Sequence, residues 1–441
     1  MKIKKHKGLT YNKKELKDFF SFHTFLGKNV IFLSKDGNSC ILSFFQYLLF
    51  KLNFFTRNID NLLKSLYGET EELRLEVKPT FFIIELTNNC NLRCKYCFRG
   101  EHKNEIMSNT MLNAVVDQIS SYVKENRIEH FTIQPWGGEP LLEIDKIVLI
   151  RKLFKKKNLY PKISCETNGL LLTEKNLKLL FENNVQVGIS LDGHPEINDN
   201  HRPLPNNGKS SNIIENNIRV AHEKYPLLSF GGISVISKDS LESLPKIMEY
   251  LNKNLGIKYS KFNILKPNPY ISSGIDSPNE NEIIKLYTDV FKYMKQNVDF
   301  MEGNVVTRYR NILHNENNDI CLSRGCRGGY AMVAYDTNGN IFNCEMIGNE
   351  EQKLGTYKDD IIQSIKKSIA NKNPYFNVRH KKECDECPWH PFCRGGCTSF
   401  RLNRNTEVDE EGCIINKTIY PMIIKSIATN DKLYNVLRKK R

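Results

Sequence analysis

Phe81-Phe82-Ile83-Ile84-Glu85-Leu86-Thr87-Asn88-Asn89-Cys90-Asn91-Leu92-Arg93-Cys94-Lys95-Tyr96-Cys97 is an apolar run that breaks into a loop of three cysteines spaced C-x3-C-x2-C. The β-branched and aromatic residues predict a strand over 81–87. The loop brings three thiols within reach of one another, and soft thiolates at this spacing point to an iron–sulfur cluster or to zinc. A cubane ordinarily takes four cysteines, so three leave one iron open to a substrate. Zinc would call for a fourth protein ligand, and none follows the loop until His102.

Outward from this stretch, strand-like runs recur at 130–136, 162–167, 185–191, 228–237 and 261–265. Segments with helical periodicity separate them, among them 109–124, 144–153 and 176–182. Six strands alternating with helices predict an α/β fold with a parallel sheet, long enough to curl into a partial (β/α)6, TIM-like barrel. In such sheets the chemistry gathers at the C-terminal strand ends. A helical segment at 279–296 follows. The chain then turns rich in cysteine and glycine from Cys321 to Cys413, and closes in a mainly helical tail over 419–441.

The second strand ends in Trp136-Gly137-Gly138-Glu139-Pro140. Two glycines permit close backbone approach to a ligand, and a glutamate can accept from an ammonium group. Placed one βα unit after the cysteine loop, with the aromatic Tyr96 before the last cysteine, this motif resembles the radical S-adenosylmethionine (SAM) superfamily over about residues 79–300. The resemblance implies a 4Fe–4S cluster on Cys90, Cys94 and Cys97, with the open iron chelating the amino and carboxylate groups of SAM. It places Tyr96, Gly137, Gly138, Glu139, Pro140 and Asn168 around SAM. Similarity to sulfatase-maturase-like members adds Ser190 and Arg202 as holders of the SAM carboxylate, a task suited to a guanidinium. Trp136 departs from the glutamine some relatives carry there.

Downstream, Cys326-x12-Gly339-x4-Cys344 and Cys384-x2-Cys387-x5-Cys393-x3-Cys397, then Cys413, resemble the seven-cysteine SPASM domain. Cys321 is an eighth. Eight thiolates suffice for two fully ligated cubanes. The resemblance implies an interleaved assignment, with Cys321, Cys326, Cys344 and Cys397 on one cluster and Cys384, Cys387, Cys393 and Cys413 on the other. Taken alone, the 384–397 stretch would also permit zinc. Three clusters use eleven of the thirteen cysteines; Cys40 and Cys165 remain, expected as buried apolar residues. Glu345, after Cys344, stands where sulfatase maturases carry an aspartate proposed as general base; the other reading is a surface glutamate.

The first 78 residues form a separate module. Stretches 27–34 and 39–43 flank a Lys-Asp-Gly-Asn turn, a hairpin signal, and helical stretches follow around 43–52 and 58–66 with Leu48, Phe50, Leu52, Phe54 and Leu62 as apolar positions. The order is similar to the winged-helix leader-peptide recognition module of peptide maturases, which adds a leader as a strand to its sheet edge. Domains are therefore expected at 1–78 (winged-helix-like recognition), 79–305 (barrel) and 306–441 (SPASM and helical tail).

Composition bounds the rest. Hydrophobic residues make up 40% and charged residues 26%, as in globular proteins. No apolar run reaches the ~18 residues of a membrane span, and no signal peptide is apparent; a cytoplasmic protein is expected. The net charge of +14 is scattered, with no low-complexity basic arm, so an acidic peptide partner or solubility explains it better than nucleic acid. The resemblance as a whole implies a maturase of a ribosomally made precursor peptide. Such an enzyme would forge a thioether or carbon–carbon cross-link, reduced by a flavodoxin or ferredoxin and with oxidation through the auxiliary clusters. The alternatives are an anaerobic sulfatase-maturating enzyme, making formylglycine from Cys or Ser, and a non-enzymatic peptide-binding protein with structural zinc.

Overall fold

The computed structural model describes residues 20–22, 27–52, 54, 57–66, 76–99, 104–228, 230–267, 275–315, 319–346 and 352–439. Parts of the sequence-defined front module, residues 1–19 and 67–75 among them, and His102 lie outside these.

The predicted strands are present as β4 (Phe81–Thr87), β5 (Thr132–Gly137), β6 (Lys162–Thr167), β7 (Val185–Ser190), β8 (Phe230–Ile236) and β9 (Tyr259–Ile264). Front-module strands β1 (Phe20–Phe22), β2 (Asn29–Leu33) and β3 (Ser39–Ser43) precede them in the chain. β4 to β9 pair in sequence order, all parallel, and helices 109–125, 144–156, 174–182 and 211–224 cover one face. That face is paved by the β-branched and aromatic residues that made the strands legible: Phe82, Ile84, Ile133, Ile163, Val187, Ile189 and Phe262 are all buried in one core. The intervening residues turn to the concave side. In β6, for instance, Ile163 and Cys165 are buried while Ser164 and Glu166 are half-buried.

The sheet extends past the expected six strands at both edges. A two-residue strand β10 (Met301–Glu302) pairs in parallel with β9. On the other side β11 (Met332–Tyr335) pairs in parallel with β4, and β12 (Asn340–Phe342) and β13 (Gly355–Thr356) continue antiparallel. Gly339 makes the β11–β12 turn at φ +77°, a conformation that favours glycine. The cysteine-rich region is thus not hung on a linker but grafted onto the first barrel strand. At the expected boundary near 305, helix Gly303–His314 runs straight through. The tail helix starts earlier than expected, at Glu410, and so carries Cys413.

In the front module β1, β2 and β3 form an antiparallel sheet, one strand more than the hairpin expected. Ser43 and Gln46 form a capping box that starts helix Phe44–Lys51, and helix Arg57–Lys64 follows. Val30, Phe32, Cys40, Leu42, Phe50, Ile59, Leu63 and Leu66 make its own core. Of the apolar positions read from sequence, Phe50 turns inward and Leu62 packs at the core margin. Leu48, Leu52 and Phe54 stay exposed, beside Phe44 and Phe45. The opposite sheet face joins the main core through Ile31 and Leu33. The seat is the C-terminal region: Lys28 N donates to Ala428 O at 2.6 Å, Ser39 N to Asn315 Oδ1 at 2.7 Å, and Phe22 stacks on Trp389.

Candidate active site

The Cys90–Cys97 loop leaves the C-terminal end of β4 and is pinned by backbone bonds rather than left to float. Arg93 N donates to Pro203 O at 2.8 Å and Lys95 N to His201 O at 3.0 Å, while Met107 N returns to Leu86 O at 2.9 Å. Arg99 closes a buried ion pair with Glu85. Burial pushes the Cys90 thiol up to about 11 and Cys94 up to about 12, the latter opposed by the nearby Arg202 guanidinium. These thiols therefore surrender their protons on metal binding rather than before it.

The two glycines of the second motif are obligatory, for a reason the sequence does not reveal. The backbone they approach is the one leading into Cys90. Gly138 N donates to Thr87 O at 2.9 Å and Glu139 N to Asn89 O at 2.8 Å. A Cβ on Gly137 would sit 2.0 Å from Thr87 O, and one on Gly138 2.2 Å from Asn89 O. Glu139 is 1% exposed. It accepts from Leu141 N at 3.0 Å, Thr167 Oγ1 at 2.7 Å and Asn168 N at 2.8 Å. Two of these bonds tie β5 to the end of β6 and the third caps the turn that follows, so three of about four acceptor positions are spent and one is left toward a ligand. Pro140 opens the short turn that follows. Asn168 in turn donates to Asn91 Oδ1 at 2.7 Å and lies 3.9 Å from the Cys90 sulfur, so it orients the cluster loop. The Asn89 side-chain oxygen is buried without a partner among the described residues, an acceptor left for something bound there.

Arg202 lies in a network the sequence reading missed. Its Nε is 3.1 Å from Asp192 Oδ1, and its guanidinium rests over the Tyr96 ring, 5.4 Å from the centroid. Asp192 also accepts from the Tyr96 hydroxyl and, at 2.9 Å, from Val235 N. His201 lies 3.3 Å from Asp192 and 2.9 Å from Asp239. Burial works against ionisation of Asp192, but Arg202 and His201 outweigh it and hold the carboxyl below its usual range. Tyr96 therefore supports Arg202 rather than offering its hydroxyl to a ligand. The terminal guanidinium nitrogens remain directed past Cys94, whose sulfur is 4.0 Å from Nη1. Ser190 ends β7 two residues before Asp192, its hydroxyl without a hydrogen-bond partner among the described residues. The signal that could have found Asp192 was present: an acidic residue two places beyond a strand end, facing an arginine ten residues on. Asp192→Asn strands a buried guanidinium, so a stability loss of about 3 kcal/mol is expected, together with weaker SAM binding. Denaturant unfolding and calorimetric titration with SAM measure the two.

The remaining cysteines gather as two sets. Cys326 acts electrostatically on Cys321, Cys344 and Cys397. Cys413 acts on Cys384 and Cys393, and Cys387 on Cys384 and Cys413. The second set of four lines one small cavity together with Trp389, Val408 and Lys417. Cys40 and Cys165, 2% and 1% exposed, sit in apolar cores as expected. Among the described residues no three cysteine sulfurs lie within 4.8 Å of one another. Thiolates sharing one zinc would stand about 3.8 Å apart.

Between the Cys90 loop and the first of these sets lies the concave face. Trp136 shares a packing cluster with Ile83, Cys326, Cys344 and Met346, while its next neighbours, Gly137 to Glu139, border the Cys90 loop. Its indole N–H is buried without a partner among the described residues. Three charged groups on this face escaped the sequence reading or were isolated in it: Glu166, Lys261 and Glu345. Burial, and secondarily Glu345, raise Glu166 to about 7, against the pull of Lys261 and Gln134. Glu345 is likewise raised by burial, and Lys261 is 4.0 Å from Asp319. Strand parity was the available signal: Gln134 and Glu166 stand at positions that alternate with the buried Ile133, Ile163 and Cys165.

A parallel α/β barrel with three cysteines at the end of its first strand and a glycine-pinned loop beside them is the frame of a SAM-dependent radical enzyme. A family profile described as the radical SAM superfamily matches residues 84–251, and the chain belongs to that superfamily. A cysteine-type anaerobic sulfatase-maturating enzyme of Clostridium novyi is 27% identical over 351 residues, 74% of this chain and 88% of its own length. The radical SAM cyclopropyl synthase TigE of Paramaledivibacter caminithermalis is 24% identical over 481 residues, 98% of this chain and 90% of its own. In fold the chain is similar to native anSMEcpe with bound AdoMet and the Cp18Cys peptide, at TM-score 0.67 and 21% identity, over 80% of this chain and 100% of that one. It is also similar to Streptococcus suis SuiB bound to precursor peptide SuiA, at TM-score 0.56 and 17% identity, over 89% and 97%. The chain is thus an enzyme that uses SAM and a 4Fe–4S cluster. Among the described residues no helix is long and apolar enough to cross a membrane.

Proposed function

We propose that this chain is a maturase that takes a hydrogen atom from a ribosomally made precursor peptide and closes an intramolecular cross-link. The observation that carries this reading is the placement of the Cys90 loop and the Cys326–Cys344 set on either side of one polar concave face, with Trp136 between them. Bound at the iron that Cys90, Cys94 and Cys97 leave open, SAM supplies on one-electron reduction a carbon-centred oxidant able to attack an unactivated carbon.

The protein's own residues supply the rest. Arg202, held by Asp192 over Tyr96, presents its terminal nitrogens for the SAM carboxylate. Glu139 and the Asn89 side-chain oxygen offer acceptors to the ammonium group, and Asn168 orients the Cys90 thiolate. Cys321, Cys326, Cys344 and Cys397, and likewise Cys384, Cys387, Cys393 and Cys413, give each auxiliary cubane four thiolates. A cluster so closed has no vacant iron for a substrate, so it serves to accept the electron that bond formation releases. Glu345, raised by burial and facing the same space as Glu166, would take the proton from the substrate's attacking group. Glu345→Gln is expected to keep SAM cleavage while lowering product formation by about 10²–10⁴-fold, read by separate chromatographic assays of cleaved SAM and of peptide.

Recognition of a leader falls to the front module. β3 is an edge strand, and beside it a cavity of about 580 Å³ is lined by Ser39, Cys40, Ile41, Leu62, Ser65, Ile312 and Asn315. An extended peptide could add to that edge as a strand. The relative that aligns over nearly the whole chain, TigE, supports a use for this module. Identity to sulfatase-maturating enzymes favours the second reading, formylglycine formation.

One experiment separates the two. The reduced, iron-loaded enzyme is given SAM with either a peptide carrying a sulfatase-type cysteine motif or a candidate precursor peptide, sought among small open reading frames beside its gene. Cross-linking removes two hydrogen atoms and blocks fragmentation inside the ring. Formylglycine leaves a linear chain that reacts with a hydrazide. Hydrazide labelling of the sulfatase peptide, with the other untouched, overturns the cross-linking proposal.

A further inference from the structure

At the N-terminal end of the strands, opposite the Cys90 loop, opens a cavity of about 1220 Å³. Phe81, Thr132, Lys162 and Gln186 line it, at the first turns of β4, β5, β6 and β7. Strand alternation carries each of these columns up the concave face: Thr132 leads through Gln134 to Trp136, Lys162 through Ser164 to Glu166, and Gln186 through Gly188 to Ser190. Ile320 and Arg327 form another wall; they bracket Cys321 and Cys326. Whatever occupies the cavity therefore stands below the reactive face and against the loop of the first auxiliary set.

The charges at its rim are unbalanced. Lys78, Lys152, Lys155 and Lys162 line it and are exposed, and none has an ion-pair partner among the described residues. Arg151 is already committed to the carbonyls of Asn183, Pro161 and Asn184. Of the lining glutamates, Glu182 lies 3.8 Å from Lys178, which leaves Glu76 and Glu129 against four lysines. Tyr160, 70% exposed, adds an aromatic surface indifferent to sequence. The excess of +14 over the whole chain points the same way.

We infer that this cavity is the inlet through which the peptide substrate reaches the concave face, and that the segment flanking the modified residue is acidic and docks on Lys78, Lys152, Lys155 and Lys162. The inference rests on the peptide-maturase reading and adds to it the chemistry of the substrate. A basic rim steers an acidic segment inward and fixes its direction, in a salt-dependent manner.

The test uses the iron-loaded full chain and two fluorescein-labelled probes of equal length, a glycine–glutamate repeat and a glycine–lysine repeat, followed by anisotropy. The acidic probe binds, the basic one does not, and high salt weakens the complex. Lys78, Lys152, Lys155 and Lys162 are replaced together by Glu, and Lys366 and Lys367, on the helix 361–370 away from the cavity, serve as control. The inlet variant, checked for unchanged iron content and circular dichroism, binds the acidic probe at least about tenfold more weakly, and the control variant binds as the parent does. Equal weakening in both variants, or equal binding of both probes, overturns the inference as general charge attraction. The probes need no turnover, so the outcomes separate. A precursor peptide processed with unchanged KM by the inlet variant sinks the inlet alone. Failure of the parent enzyme to modify any peptide sinks the maturase reading and leaves the binding result standing.

Discussion

Replacing Cys94 with Ala is expected to abolish reductive SAM cleavage and to lower bound iron from about twelve to about eight atoms per chain, the content of three and of two cubanes. Cys94 is one of three thiols in a loop that offers no fourth, so no neighbour can take its place. Its sulfur lies 4.0 Å from Arg202 Nη1, so its loss also changes the surroundings of the guanidinium that Asp192 holds. Anaerobic reconstitution, iron analysis and chromatographic assay for cleaved SAM decide the matter. Cleavage at the parent rate in this variant would mean that the open iron lies elsewhere in the chain.

Cys387→Ala is expected to behave in the opposite way. SAM cleavage persists, uncoupled from product, while cross-linked peptide falls below detection. Cys387 belongs to the set with Cys384, Cys393 and Cys413, which lines its own cavity at the far side of the cysteine-rich region. The Cys90 loop, by contrast, is held by β4, β5 and the 201–203 segment. Among the described residues no hydrogen bond joins the two places, so loss of one cluster leaves the other's mount intact. Under the proposed function, what disappears is the acceptor for the electron that bond closure must shed. Normal product from this variant would remove the second auxiliary cluster from the reaction.

The pattern of charges on the concave face shows how far the chain can be read without its fold. Glu345 was conspicuous because it follows a cysteine. Glu166 was not, since in sequence it is one polar residue inside a strand, next to Cys165, whose side chain points the other way. Asp192 likewise gave no signal of its own. Its role appears only once Tyr96, His201, Arg202 and Asp239, drawn from separate loops, converge on it. The glycines of the 136–140 motif were legible as residues that allow close approach, but what they approach is Thr87 and Asn89, fifty positions earlier.

By itself the sequence determined the parallel barrel, the three-thiol loop and the grouping of cysteines by number. Each of these is written in local order: a period of two in strands, a period near 3.6 in helices, and donors spaced within a few residues of a common centre. Only the tertiary structure decided that the cysteine-rich region extends the barrel sheet through β11 on β4, and that Glu166, Lys261 and Glu345 share one space. Those facts depend on contacts between residues tens to hundreds of positions apart. Such contacts are fixed by which buried faces fit together, and spacing along the chain carries no record of them.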